Sequence, residues 1–422
     1  MHTDRDANIT LNPESRGWGG GFQRRGIQPL IRAMAPVLQH IKDGAISRET
    51  SLTLPFDEVT ALNQTGFPLA RLPGSSGGHD ATHPELFGLV ISVAEADPNV
   101  AQALRSHFGF VEHILTVADE KRRNLWVERL NSGDLVAAAA TEGGKAQLDS
   151  FGTTLDQVEG EWRLNGAKAY ATGALFADWI EVEATCGHEG VAVMVHRSAQ
   201  GVILRDDWDG MGQRLSASGT VEFDNVLVEP KDVVHGEPFP YYESFYQLFL
   251  LAVMAGIGRA ASNEVSAILR ARERTFSHGS SMLPRDDPQL QQIVGEVRSS
   301  AYAAGAVVLH ASHALERAYK HFLTGSASRE IVAIADIEVW QAQQVVADLV
   351  LSAATRIFDA LGGSATLREK GLDRHWRNAR TLVSHNPVAF KTRIIGDFAV
   401  HGTYPPGQWR VGVPPSKESD GS

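Results

Sequence analysis

Between residues 381 and 390 the chain reads TLVSHNPVAF, and the adjacent His385 and Asn386 are its best-placed candidates for chemistry. An imidazole titrates near neutrality, so His385 can donate or accept a hydrogen bond, or move a proton, at physiological pH. An amide has no lone pair of useful basicity, so Asn386 cannot abstract a carbon-bound proton. Other suggestive spellings have plainer readings. GSSGG (74–78) matches the Gly-x-Ser-x-Gly elbow, which must follow a buried strand and open a helix. Pro73 precedes it and HDATHP follows, so a glycine loop is expected and Ser76 is not a nucleophile. GIGRAA (256–261) matches a dinucleotide turn but lacks the strand and βαβ unit that turn requires. It is expected to lie within one helix, its glycines allowing close packing. His310 and His313 could share a helical face as metal ligands do, yet no Glu accompanies them in a His-Glu-x-x-His pattern, so two ordinary helix histidines are expected.

The elements that must position these residues fall into three textures. Residues 25–134 read as helices broken by loops, with Asp97-Pro98 opening one of them. Residues 135–235 turn to short β-type runs separated by Gly, Asn and Asp. In TVEFDNVLV the apolar load falls on Val221, Phe223, Val226 and Val228, which predicts a compact antiparallel barrel or sandwich. Residues 236–410 return to long helices, and Val332, Ala335, Val339, Ala342, Val346 and Leu349 step by three and four along a bundle seam that Gly362-Gly363 should end. A flexible segment over 1–24 and a loose tail over 411–422 flank these regions. The expected fold is mainly α with a central β-domain.

Composition narrows the function classes. A net charge of -11 offers no basic stripe for nucleic acid. The single cysteine, Cys186, excludes an intrachain disulfide and a thiolate metal cluster, which fits a reducing cytoplasm. FYQLFLLAVMAGIGRAA (245–261) is the nearest approach to a membrane span, but Gln247 and Arg259 interrupt it and a buried helix is expected. The N-terminus has no apolar core of the signal-peptide kind.

Four stretches carry a resemblance, in the same order along the chain. AAAATEGG (137–144), LNGAKAYATGALFADWI (164–180), GMGQRLSASGTVEFDNVLVEP (210–230) and LGG followed by DRHWRNAR resemble the signatures of the acyl-CoA dehydrogenase superfamily. The resemblance implies an N-terminal helical domain, a middle β-barrel and a C-terminal four-helix bundle, with a flavin between the last two, in a homotetramer. It also exposes a departure. The dehydrogenases remove an acyl-CoA α-proton with a glutamate, commonly nine residues after the Arg of an Arg-Asp-Ala stretch. Counting nine from Arg377 lands on Asn386, and LFLLAVMAGIGRA, where other members carry the glutamate, has none.

Loss of that base turns the resemblance toward the superfamily's flavin-dependent monooxygenases of the dibenzothiophene type. The branch implies reduced flavin supplied by a separate NAD(P)H:flavin reductase, addition of O2 to give a C4a-hydroperoxide, and transfer of one oxygen to a small substrate. An organosulfur substrate (sulfide, sulfone or sulfinate) is expected. FMN is favoured as the cofactor, with FAD open. Carried over by position, His385 would bond the hydroperoxide or the substrate and Asn386 would line the same pocket. Thr172 would face flavin N5, Thr141 the pyrimidine edge, and Trp208 would wall the site. Arg274 and Phe276 resemble a pair that touches flavin phosphate from a neighbouring subunit. The spacing departs by one there, so Arg272 competes with Arg274. His107 belongs either to the substrate pocket or to the core. An acyl-CoA dehydrogenase or flavin oxidase with FAD, an aromatic hydroxylase or amine N-oxygenase, and a flavin-free scaffold are the competing readings.

Overall fold

The computed structural model describes Trp18, residues 25–144, 151–235, 238–325 and 328–407, and Gly412. The segments expected over 1–24 and 411–422 otherwise lie outside the described residues. Six helices come first: α1 (Gln28–Ser51), α2 (Phe56–Gln64), α3 (His83–Ala96), α4 (Pro98–Ala103), α5 (Arg105–Thr116) and α6 (Glu120–Asn131). Their starts are written in the sequence. Thr82 and Glu85 form a capping box at α3, and the Asp97 carboxylate accepts the Asn99 N–H at α4, whose Pro98 needs no donor. Eight strands follow: β1 (Val136–Ala139), β2 (Thr154–Val158), β3 (Glu161–Lys168), β4 (Trp179–Cys186), β5 (Glu189–His196), β6 (Val202–Leu204), β7 (Val221–Val228) and β8 (Val233–Val234). All belong to one sheet in the order β6-β7-β3-β2-β4-β5-β8, with β1 added parallel to β4. One sheet rather than two removes the sandwich alternative. In β7 the alternation places Val221, Phe223, Val226 and Val228 in the core as expected.

The C-terminal half is α7 (Tyr242–Ala271), α8 (Pro288–Leu323), α9 (Arg329–Leu361), α10 (Asp373–His385) and α11 (Val388–His401). α7 is long and apolar enough to span a membrane, but it is buried between α3, α8 and α9. GIGRAA lies inside it. A Cβ on Gly256 would come 2.4 Å from Ala94 Cβ, so this glycine lets α3 and α7 cross closely. α9 buries Ala335, Val339, Ala342 and Val346 along one stripe and stops at Gly362, whose φ of 70° suits glycine. GSSGG is a single tight turn at Gly74–Ser76 with no strand before it. His310 and His313 stand exposed on α8, and the described residues contain no group of three metal-ligating side chains. A cluster of Phe87, Phe108, Phe245 and Phe249 joins α3, α5 and α7 into one core, which holds the start of α5 rigidly against α7.

Candidate active site

His385 is the last residue of α10. It meets Arg105 of α5, and its neighbour Asn386 is held by Gln247 of α7. The Nε2 atom lies 3.3 Å from Arg105 Nη2, and Nδ1 lies 3.3 Å from Asn386 Oδ1. A guanidinium can only donate, so Nε2 must carry the lone pair and Nδ1 the proton. Burial, the Arg105 charge and, more weakly, Lys391 pull the ring down to about 4. His385 is therefore a neutral imidazole at physiological pH, in one defined tautomer.

Asn386 holds that tautomer in place. Its Nδ2 donates to Gln247 Oε1 at 2.9 Å, and its backbone carbonyl accepts from Gln343 Nε2 at 3.0 Å. Gln247 Oε1 also accepts from Lys391 Nζ at 3.0 Å. An amide orients by having its oxygen and nitrogen both committed, so the residue at the vacated glutamate position is a fixed acceptor for the imidazole N–H. Lys391 itself is pulled down to about 8, chiefly by burial against which Glu243 and Asp336 work, and it rests on the Trp340 ring.

The other wall comes from the β-domain. Thr172 is buried, and its hydroxyl lies 2.9 Å from Ser218 Oγ, which lies 2.7 Å from Ser216 Oγ, which donates to the Gln213 carbonyl at 2.7 Å. Each hydroxyl has one proton. Ser216 spends its proton on the carbonyl, Ser218 on Ser216 and Thr172 on Ser218, so the capacity left on Thr172 Oγ1 is that of an acceptor. Tyr170, in the left-handed region at φ 59°, stands largely exposed with its ring edge-on to Trp208. Trp208 Nε1 donates to the Gly212 carbonyl at 3.3 Å. Thr141 is exposed beside this wall, its carbonyl accepting from Ala169 N at 2.8 Å. Its neighbour Glu142 ties the loop down. The carboxylate accepts from Lys168 Nζ, Gly152 N and Thr153 N, and these partners hold it at about 2 although burial works the other way.

A closed circuit of contacts joins the two walls. Gly173, with φ 82°, has the Ala103 carbonyl 2.2 Å from where a Cβ would stand, which brings the Thr172 loop against the end of α4. Arg105 follows two residues on and reaches His385. Two turns back along α10, Gly212 would place a Cβ 2.2 Å from the Arg377 carbonyl, and Arg377 Nη1 donates to Met211 O at 2.9 Å. The loop then returns through Trp208 and Ser218 to Thr172. Arg105 thus meets His385 and Asn386 at the end of α10, Thr172 and Trp208 belong to the β-domain loops that pack on α4 and on α10 at Arg377, and Thr141 follows β1.

Two expectations fare differently. His107 is 1% exposed, its Nε2 donates to Pro68 O at 3.2 Å and its Nδ1 accepts from Val136 N at 3.3 Å. Both ring nitrogens are consumed by backbone, so it is the core histidine of the two readings and not a pocket residue. Arg274 and Phe276 lie beyond the far end of α7, about 40 Å along the helix from Tyr246. Within one chain they do not approach His385. There Arg272 stacks on Phe276 with its guanidinium 5.3 Å from the ring centre and donates to Leu361 O at 2.6 Å, while Arg274 is exposed. The residue that sequence reasoning missed is Arg105.

The fold is a helical–β–helical arrangement of one sheet between two sets of helices. Family models of the acyl-CoA dehydrogenase middle domain and C-terminal domain match residues 137–226 and 248–390, together more than half of the chain. The chain belongs to the acyl-CoA dehydrogenase superfamily. Its relatives include monooxygenases and, at 23% identity over 79% of this chain and 86% of its own length, the putative acyl-CoA dehydrogenase YdbM from Bacillus subtilis. Dibenzothiophene monooxygenase from Mycolicibacterium goodii is 26% identical over 83% of this chain and 88% of its own length. The probable FMNH2-dependent monooxygenase SfnC from Pseudomonas putida is 23% identical over 90% of this chain and 96% of its own. Among solved structures, FMN-bound TdsC from Paenibacillus sp. A11-2 superposes with a TM-score of 0.82 at 24% identity, covering 89% of this chain and 98% of that one.

Proposed function

We propose that this chain uses reduced FMN and O2 to transfer one oxygen atom to a small organosulfur compound, a sulfide, sulfone or sulfinate. The observation that carries this reading is an amide, Asn386, at the position expected of the carboxylate base, beside a neutral, tautomer-locked His385. Among the described residues no carboxylate hydrogen-bonds to Arg105, His385, Asn386 or Thr172. A dehydrogenase cannot work without its base; an oxygenase can.

These residues suit a reduced flavin. Thr172 Oγ1 is left as an acceptor, which matches the N–H that a flavin gains at N5 on reduction, and Thr141 would meet the pyrimidine edge. Tyr170 and Trp208 offer aromatic surface for a flat ring and help exclude water. When bound, reduced FMN supplies two electrons and activates O2 for transfer of one oxygen atom. His385 Nε2 accepts a hydrogen bond, or a proton, from the reacting oxygen, while Asn386 keeps Nδ1 protonated. The reading includes a separate NAD(P)H:flavin reductase as the source of reduced flavin, a homotetramer in which Arg272 or Arg274 and Phe276 meet flavin phosphate of a neighbouring subunit, and a cytoplasmic setting.

The test is product formation by purified protein given photoreduced FMN, O2 and a panel of sulfides, sulfones and sulfinates. His385→Ala should keep its fold and its FMN affinity, lose oxygenated product by about 100-fold or more, and release hydrogen peroxide instead. Normal product yield from that variant would defeat the role given to His385. Bleaching of bound FAD by an acyl-CoA would defeat the oxygenase reading altogether.

A further inference from the structure

Resting on that reading, we propose that Arg105 is an anion anchor and that the organosulfur substrate is an organosulfinate, whose two oxygens take the free edge of the guanidinium beside His385.

Arg105 is a half-buried cation without a counter-charge. It makes no ion pair among the described residues, Nη2 alone has a hydrogen-bond partner, and Nε is buried with none. α7 presents Tyr242 and Tyr246, the latter with its ring centre 4.9 Å from the guanidinium carbon. α10 ends in the neutral His385. Lys391 of α11 is a second cation, and its charge is offset by Glu243 and Asp336. On β4, Glu181 acts on Arg122 and Tyr246 rather than on Arg105, and burial with Glu183 beside it pushes that carboxyl up to about 7. Burial accordingly lowers the Arg105 pKa, because only the tyrosines work against it.

A cation taken out of water without a partner is costly, and a ring face returns only part of the loss. Tyr246 lies 4.9 Å from the guanidinium carbon and His385 takes one Nη2 hydrogen, so Nη1 and the second Nη2 hydrogen are left for forked, two-oxygen recognition. Of the three organosulfur classes only the sulfinate is anionic at neutral pH. A sulfone has the same two oxygens but no charge, so it would leave Arg105 uncompensated. The anchored sulfinate would also hold its sulfur next to His385. The net reaction is R–SO2⁻ + O2 + FMNH2 → R–SO3⁻ + FMN + H2O. An S–O bond forms, the O–O bond breaks, sulfur and flavin each give two electrons, and both flavin hydrogens leave in water.

The test is calorimetric titration of the full chain, flavin-free and FMN-loaded, with benzenesulfinate against methyl phenyl sulfone and methanesulfinate against dimethyl sulfone. Each sulfinate should bind at least about tenfold tighter than its sulfone, and more weakly as salt rises. Arg105→Gln should lose about tenfold or more of sulfinate affinity, Arg105→Lys should recover part of it, and saturation with sulfinate should raise the titration of the His385 ring. Equal sulfinate binding by wild type and Arg105→Gln, or sulfones binding as tightly, would overturn the anchor. So would competition between FMN and sulfinate, which would give Arg105 to the cofactor phosphate. If Arg105→Gln fails to fold, a salt-insensitive sulfinate affinity in wild type overturns the proposal in its place. Failure of FMN to bind at all would instead strike the monooxygenase reading, whereas retained FMN binding with indifference to Arg105 strikes the anchor alone.

Discussion

Asn386→Asp places a carboxylate where an amide oxygen now accepts the His385 Nδ1–H at 3.3 Å. In the native chain burial, then Arg105, hold the ring at about 4, and the Asn386 acceptor is the small contribution in the other direction. A carboxylate favours the imidazolium, so the sign is upward. At about 4 Å the pair interacts by roughly 1 kcal/mol in water and roughly 4 kcal/mol at an effective dielectric constant near 20. At about 1.4 kcal/mol per pKa unit this gives a rise of roughly one to three units, bringing the ring to between about 5 and 7. Lys391, joined to the same amide chain through Gln247, competes for the new charge and favours the lower part of that range. The assay is long-range proton–nitrogen correlation NMR on histidine-labelled protein across a pH series, with the His385 signals assigned by their loss in His385→Gln. In the native chain the two ring nitrogens should show a protonated Nδ1 and a bare Nε2 from pH 6 upward. In Asn386→Asp the ring should titrate in the stated range, and product yield should fall as pH drops through it, since a protonated Nε2 cannot accept. A ring pKa that moves by less than about half a unit would show that Nδ1 does not face residue 386, and the argument for a locked tautomer would fail.

Two further outcomes concern stability. Glu142→Gln breaks the pair with Lys168, whose side chain is buried, and should cost on the order of 3 kcal/mol by chemical denaturation, with Glu142→Gln combined with Lys168→Met less destabilised than the single variant. Because the folded Glu142 carboxyl is depressed to about 2, its contribution is present above the ordinary carboxylate range and is lost as pH falls through that range toward 2, so the gap between variant and native chain should close in acid. His107→Ala removes a ring whose two nitrogens both serve buried backbone groups, and should lower stability by roughly 2–4 kcal/mol while leaving FMN affinity unchanged. A loss of FMN affinity out of proportion to the loss of stability would return His107 to the pocket.

The helices and strands were legible where their signals are local. The β7 alternation, the Asp97 cap, the glycine stop at 362 and the reassignment of GIGRAA to a helix crossing depend on periodicity, capping and backbone sterics within a few residues. The site was legible only in part. His385 and Asn386 announce themselves by type, yet what Asn386 does is set by Gln247 and Gln343 from α7 and α9. Arg105 could not be singled out, because its partner is 280 residues away. One signal was available and pointed the wrong way. In RSHFGF, His107 drew attention by being a histidine, but residues two apart on a helix project about 200° from each other, so Arg105 and His107 cannot serve the same side of α5. His107 lies about 40° from Val111 around α5, and both are buried.

The vacated base and the unpaired cation are two sides of one rearrangement. A glutamate at position 386 would stand one residue from His385 and near both Arg105 and Lys391. It would neutralise the cluster, and it would draw the imidazole toward its charged form. With an amide there, Arg105 keeps its charge for a ligand, and His385 keeps a lone pair at Nε2. Chemistry by proton abstraction from carbon and chemistry on an anionic sulfur centre therefore make opposite demands on the same position. Asn386 meets the second and forbids the first, which is why one variant, Asn386→Asp, is expected to raise the His385 titration and weaken sulfinate binding together. If the titration rose while sulfinate affinity held, the imidazole and the anchor would be independent, and the coupling between the missing base and the choice of an anionic substrate would be wrong.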